Sequence, residues 1–222
     1  MRLSKLKAAF NTAKRWGQIE KNPFEGVSMV GVPETIPIHV SKEEFQILYR
    51  GIKERWLREV VLWAVLTGMR RGEIINLRWN QVDLSKKTVI VQTSPTYRTK
   101  MGRKRVVPMS DEAFALLKRK KTESTNQNEF VFTLNDRPLY EDWVTHRFKK
   151  YVKELLPNNP DVHFHSLRAT FATLLVMQGT SLYEIQKQLG HSSIILTQTY
   201  SHLAPNDLHN TLNRITLQID EY

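Results

Sequence analysis

The chain has 222 residues, no cysteine, and 41% hydrophobic residues. That is enough apolar material for a core at this length, while the missing thiols exclude a disulfide scaffold, a cysteine-based zinc site and a thiol nucleophile. Lysine and arginine number 33 against 22 acidic residues, a formal net charge of +11, which favours a polyanionic partner such as nucleic acid. No apolar run reaches the roughly 18–20 residues of a membrane span, and the opening MRLSKLKAAFNTAKRW lacks the apolar stretch and cleavage site of a secretory signal.

Leu3, Leu6, Phe10 and Ala13 recur at helical spacing, with Gly17 as a stop and Asn22-Pro23 as an exit. Gly26 to Pro37 reads as a linker, so residues 1–37 form the last helix of a truncated domain plus its connection, and residues 38–222 form the main domain. Ser41-Lys42-Glu43-Glu44 is a capping box that opens a helix to about Ile52. A second helix runs from about Glu54 to Leu66 with Trp56, Val60, Trp63 and Ala64 as its buried side, and Thr67-Gly68 breaks it before a short helix to Asn76. The β-branched run from Thr88 to Thr93 and the segment Arg105 to Pro108 read as strands, with a third short strand within Trp79–Leu84. Between the two longer strands lies a basic hairpin tip that carries Arg98, Lys100, Arg103 and Lys104 and ends at Arg105. Helices return from Ser110 to about Lys121, over 140–155 with Trp143, Phe148 and Val152 on the apolar side, and over 166–178. Glu129 to Phe132 is a short extended piece between them. Ser181 to Glu184 is a second capping box whose helix ends at Leu189-Gly190, and an amphipathic tail helix spans about 205–219. The predicted fold is therefore mainly α with one small antiparallel β-sheet.

Four local patterns carry candidate chemistry. Arg70 and Glu73, three apart, share a helix face, as a guanidinium aimed at an anion or as an ordinary ion pair. Lys100 sits on the hairpin among Arg98, Arg103, Lys104 and Arg105, and spacing alone does not choose between these cations. His165 and Arg168 open an apolar helix, where free backbone N–H groups and a partial positive charge suit a phosphate. His163 lies close enough to His165 to consider a metal pair, but no further Asp, Glu or His nearby completes one. His191 precedes Tyr200 by nine residues, which is two and a half helical turns, so the chain must bend near Ser192-Ser193 if the two side chains meet. Together these residues make a cationic site with one oxygen nucleophile. Such a set can attack a phosphodiester, with the guanidinium forks clamping the phosphate in place of a metal.

In their order, Arg…Lys…His-x-x-Arg…His…Tyr, these residues resemble the tyrosine recombinases, the phage-integrase-like site-specific recombinases. The matching stretches are TGMRRGEIINLRW, TKMGRKRVVP, HSLRATFATLL and LGHSSIILTQTY, with twenty-three residues from Arg168 to His191. The resemblance covers residues 38–205 as a catalytic domain, and the opening helix is similar to the last helix of the core-binding domain that precedes it in the family. It implies site-specific DNA recombination, integration or excision, through a 3′-phosphotyrosyl intermediate, without cofactor or metal. Arg70 and Arg168 would bind the non-bridging oxygens of the scissile phosphate, Tyr200 would attack it, and Lys100 would protonate the leaving 5′-oxygen. His165 would assist proton transfer, His191 would hydrogen-bond the phosphate, and Glu73 would support the site from behind. Arg98, Arg103, Lys104 and Arg105 are expected on the DNA backbone. The implied partners are double-stranded DNA and three further copies in a tetrameric synapse, with a free monomer in the cytoplasm or nucleoid of a bacterium or phage host, and no membrane.

Two other readings share these residues: a non-catalytic DNA-binding module, and a type IB topoisomerase-like enzyme that relaxes DNA as a monomer. A metal-dependent nuclease would instead lose its activity on chelation. With most of the N-terminal clamp outside the chain, binding is expected to be weak and to fall steeply with salt.

Overall fold

The computed structural model describes residues 3–27, 37–93, 104–124, 129–190 and 195–203, and the chain falls into two units, Met1–Thr35 and Ile36–Tyr222. In the first unit α1 (Leu3–Arg15) is followed by Gly17 at φ 72°, a left-handed turn that glycine adopts without Cβ strain. Its apolar stripe meets the returning chain where Phe10 packs on Phe24 with ring centroids 5.3 Å apart. Buried Asn22 secures the turn, its amide donating to Asn11 Oδ1 at 2.7 Å.

The second unit is built around α3 (Arg55–Thr67). Its sequence, RWLREVVLWAVLT, is apolar on nearly every side, and the helix is accordingly enclosed on nearly every side. It packs against α2 (Lys42–Gly51), α5 (Asp111–Glu123), α6 (Glu141–Leu155) and α7 (Ser166–Met177). Trp63, fully buried at its centre, lies 5.8 Å from the ring of Phe132. The helix starts are set locally. The Ser41 hydroxyl accepts the Glu44 N–H while Glu44 accepts the Ser41 N–H, and Ser181 with Glu184 repeats the device at α8 (Leu182–Leu189). Among the described residues no helix is long and apolar enough to cross a membrane.

The sheet is antiparallel in the order β1 (Val82–Asp83), β2 (Thr88–Val91), β3 (Arg105–Pro108). Val89 opposes Val107 and Val91 opposes Arg105. By strand alternation these residues share the inward face, whereas Val106 is exposed. Only Val82–Asp83 of the expected third strand is extended, because Trp79–Gln81 forms a 3₁₀ turn.

Two expectations are corrected here. A second hairpin, β4 (Thr133–Leu134) with β5 (Arg137–Pro138), follows the predicted extended piece, turning through Asn135 and Asp136 at φ 50° and 60°. The two positive φ values are those of the tight turn that Asn and Asp favour between short strands. On α6 the buried side is Val144, Phe148, Tyr151 and Val152, and Trp143 is half exposed, one position off the apolar stripe.

The chain leaves α7 through Gly179, enters α8, turns at left-handed Gly190 and resumes as α9 (Ile195–Gln198). A second apolar cluster forms here from Ala169, Phe171, Ala172, Val176, Ile185, Leu189 and Tyr200.

Candidate active site

Glu73 is the hub. It lies on α4 (Arg71–Ile75), one turn past the left-handed Gly68 that ends α3, and its side chain is wholly buried. Its Oε2 accepts the backbone N–H of Arg70 at 2.8 Å, and its Oε1 accepts Nη1 of Arg70 at 3.0 Å. Arg105 donates to both oxygens, Nη1 to Oε1 at 2.9 Å and Nη2 to Oε2 at 2.6 Å, a two-pronged charge-assisted pair. Burial alone would raise the Glu73 carboxyl; the Arg105 hydrogen bonds and charge, with the Arg70 N–H and charge behind them, outweigh it and hold the group below its ordinary value. The Arg70–Glu73 pair is therefore a buried fixture, unlike a solvated surface pair.

Arg168 is aimed at the same place from α7. It is 4% exposed, and it donates Nη1 to the carbonyl of Gly68 and Nη2 to that of Leu189, both at 2.6 Å. These are carbonyls at the C-terminal ends of α3 and α8, where unsatisfied acceptors and the negative end of the helix dipole favour a cation. Arg70 makes a like contact, Nη2 to the carbonyl of Gly190 at 3.3 Å. Burial, then the charge of Arg70, push the Arg168 guanidinium down to about 9, with Arg105 adding to the effect and Glu73 and Tyr200 opposing it. Three guanidinium groups thus surround one carboxylate, and the site carries an excess of positive charge that an anion would relieve. Each guanidinium has more N–H donors than the bonds named here consume.

Tyr200 reaches this cluster within its own chain. It is 6% exposed, its ring is part of the α7–α8 apolar cluster, and its hydroxyl lies within the electrostatic field of Arg168. Burial raises the phenol above its ordinary value and Arg168 works against that rise, so the group is protonated at neutral pH. α8 ends at left-handed Gly190 and α9 begins at Ile195; the bend expected near Ser192-Ser193 lies outside the described residues.

The other expected residues are placed differently. His165 is the exposed residue at the start of α7, with its ring 6.4 Å from that of His163. The backbone N–H groups expected to receive a phosphate there are already engaged: those of Ser166, Leu167 and Arg168 donate to the carbonyls of His163, Phe164 and His165. The anion-binding power at this point therefore lies in the arginine side chains. Lys104 is exposed. Arg105 is corrected: it was expected on DNA with its hairpin neighbours, but strand alternation turns it inward beside Val107, onto Glu73. Arg98, Lys100, Arg103, His191, Ser192-Ser193 and the tail helix over 205–219 lie outside the described residues. Among the described residues no group of three or more His, Cys, Asp or Glu side chains gathers to hold a metal. The sequence reading missed the carbonyls of Gly68, Leu189 and Gly190 as acceptors. Two glycines that end helices beside basic motifs were the available signal.

An arrangement of this kind can neutralise both non-bridging oxygens of a phosphodiester and present a phenol to its phosphorus. The family model described as "Phage integrase family" matches residues 40–207. A tyrosine recombinase of Thermosipho africanus is 27% identical over 219 residues, covering 96% of this chain and 74% of that protein. Tyrosine recombinase XerC of Bacillus pumilus is 30% identical over 229 residues, covering 95% and 72%. Among solved structures, the Tn1549 transposon integrase in complex with transposon right end DNA superposes with a TM-score of 0.72 at 22% identity, covering 94% of this chain and 76% of that one. XerA recombinase does so at 0.63 and 22%, covering 98% and 78%. The buried arginine–glutamate–tyrosine cluster thus sits in a fold shared with DNA-bound recombinases, and the chain belongs to the phage integrase family.

Proposed function

We propose that this chain is a site-specific tyrosine recombinase that cuts and rejoins double-stranded DNA, with Tyr200 as its nucleophile. The observation that carries the reading is the buried Tyr200 hydroxyl in the field of Arg168, whose guanidinium is fixed in turn beside Arg70 and Glu73.

In the forward step the Tyr200 oxygen bonds to phosphorus as the phosphorus–O5′ bond breaks. Arg70 and Arg168 hold the two non-bridging oxygens as negative charge builds on them. The Tyr200 proton must leave during attack, because burial keeps the phenol neutral; His165 is assigned to receive it. Lys100 is assigned to give a proton to the departing 5′-oxygen, and His191 to hydrogen-bond the phosphate. The phosphotyrosyl bond conserves the energy of the phosphodiester, so attack by a 5′-hydroxyl reverses the step and reseals the strand. Strand exchange is assigned to a tetramer on DNA.

The reading is tested on a half-site duplex nicked beside the cleavage point, so that the released fragment diffuses away and traps the covalent product. The chain should form an adduct in the presence of EDTA, and Tyr200→Phe should bind the same duplex without forming one. A full-strength adduct from the phenylalanine variant overturns the assignment.

A further inference from the structure

We propose that Arg105 is a positioning residue for strand cleavage: through Glu73 it fixes the guanidinium of Arg70, and it anchors the strand that follows the Lys100 segment. This rests on the reading of Tyr200 and the two arginines given above.

The arrangement is specific to an arginine in this place. Arg105 is the first residue of β3, five positions after Lys100. Its side chain is 13% exposed, and it meets Glu73 with both Nη atoms. Its Nε donates to the carbonyl of Gln188 at 3.2 Å. A Cβ at Gly190 would come within 2.9 Å of Arg105 Cδ, so the stem of Arg105 runs directly against the left-handed turn that precedes His191. One side chain therefore ties together β3, the Arg70–Glu73 turn and the end of α8. With its Nε and both Nη atoms engaged, Arg105 is poorly placed to serve the DNA backbone.

The consequence for Arg70 is geometric. Glu73 has two oxygens, and Arg105 bonds both of them. Arg70 is left with a one-atom hold, Nη1 on Oε1, and its Nη2 turns to Gly190. Without Arg105 the buried carboxylate would draw both prongs of Arg70 onto itself, the stronger two-point geometry for a guanidinium. Arg70 would then be pulled off the phosphate. A lysine at 105 keeps the charge but has no planar fork to span both oxygens, so it cannot reproduce this division.

The experiment compares the full chain with Arg105→Lys, Arg70→Ala and the double variant on the trapped half-site. Arg105→Gln serves as a second variant, because its shorter amide ends where Nε does and keeps the bond to the Gln188 carbonyl while falling short of Glu73. Adduct formation is followed at saturating DNA, and DNA affinity is measured across a salt series. The expected result is roughly tenfold slower adduct formation by Arg105→Lys, as for other residues that orient a reacting group from behind, with affinity and its salt slope unchanged. The double variant should be no slower than Arg70→Ala alone, because the two residues act through one carboxylate. Three outcomes overturn the proposal while leaving Tyr200 in place. They are wild-type rates from both position-105 variants, losses that multiply in the double variant, and a defect confined to affinity with the salt slope reduced by about one, the signature of a phosphate contact. A wild-type chain that forms no adduct overturns the tyrosine reading itself and this proposal with it.

Discussion

Arg168 and Gly68 lie one hundred residues apart in the chain and are joined by a hydrogen bond of 2.6 Å from Nη1 to the carbonyl oxygen. That bond requires α3 to end where it does. Gly68 sits at φ 61°, and a Cβ there would lie 2.4 Å from Phe171 Cδ1 and 2.7 Å from Leu189 Cδ2. Gly68→Ala should therefore destabilise the fold by about 2 kcal/mol or more, from left-handed strain together with the clash. It should also slow cleavage, because the displaced carbonyl is one of the two that hold Arg168. Chemical denaturation and adduct kinetics check both; an alanine variant of wild-type stability and rate would contradict the account.

Glu73 gives a stability prediction with a definite sign. Its carboxyl ionises below the ordinary 4.5 in the folded chain. Its contribution is therefore complete above pH 4.5 and fades as the pH falls through the lowered folded value. Glu73→Gln leaves two part-buried guanidinium groups without their carboxylate and should cost about 3 kcal/mol at neutral pH. The gap between the variant and the wild type should close as the solution is acidified below pH 4.5. Denaturant titrations at several pH values measure it, and a gap that stays constant into acid would refute the assignment of Glu73 as a buried anion.

At Arg168 the charge opposes folding instead of supporting it, although stability again rises with pH. Its guanidinium is pushed down to about 9, so the buried charge opposes folding below about pH 9 and that penalty lifts as the pH rises further. For the free protein, binding of an anion to the charged form should weaken above about pH 9, and kcat/KM for cleavage should decline there with it. An anion that fills the site should also stabilise the fold. Inorganic phosphate at about 100 times its Kd would add about 2.7 kcal/mol, and this gain should vanish in Arg70→Ala. Melting curves with phosphate, set against chloride at equal ionic strength, decide it.

Exposed Lys104 should behave differently from Arg105. Lys104→Ala should lower DNA affinity and reduce the salt slope by about one while leaving cleavage at saturating DNA unchanged. A cleavage defect in this variant at saturation would place Lys104 nearer the reacting phosphate than its exposure suggests.

The residues that could be read from the sequence were those with local physical signatures. Ser41 and Ser181 announce helix starts because a capping box is complete within four residues. Arg70 and Glu73 stand together because a helical turn brings them together, and the basic motifs stand out because charge is visible in a sequence. Arg105 was grouped with its neighbours by charge, although the alternation Arg105–Val106–Val107 already turned it to Val107's side of the strand. The Asn135-Asp136 pair carries a turn signal of the same local kind, since both residue types tolerate positive φ. Trp143 was drawn into the core of α6 by its size, when the spacing from Phe148 to Val144 set the buried stripe one position away. The acceptors of Arg168 have only an indirect signature, the glycines at 68 and 190 that end α3 and α8: a backbone carbonyl becomes distinctive only when its helix ends, and those two ends meet only in the folded chain.

The most direct measurement of the central claim is to locate the covalent bond. The trapped protein–DNA adduct is digested with nuclease and protease, and the modified peptide is identified by mass spectrometry. The account requires a nucleotide phosphate on the hydroxyl of Tyr200. Attachment to any other residue, Tyr183 on α8 included, would contradict it.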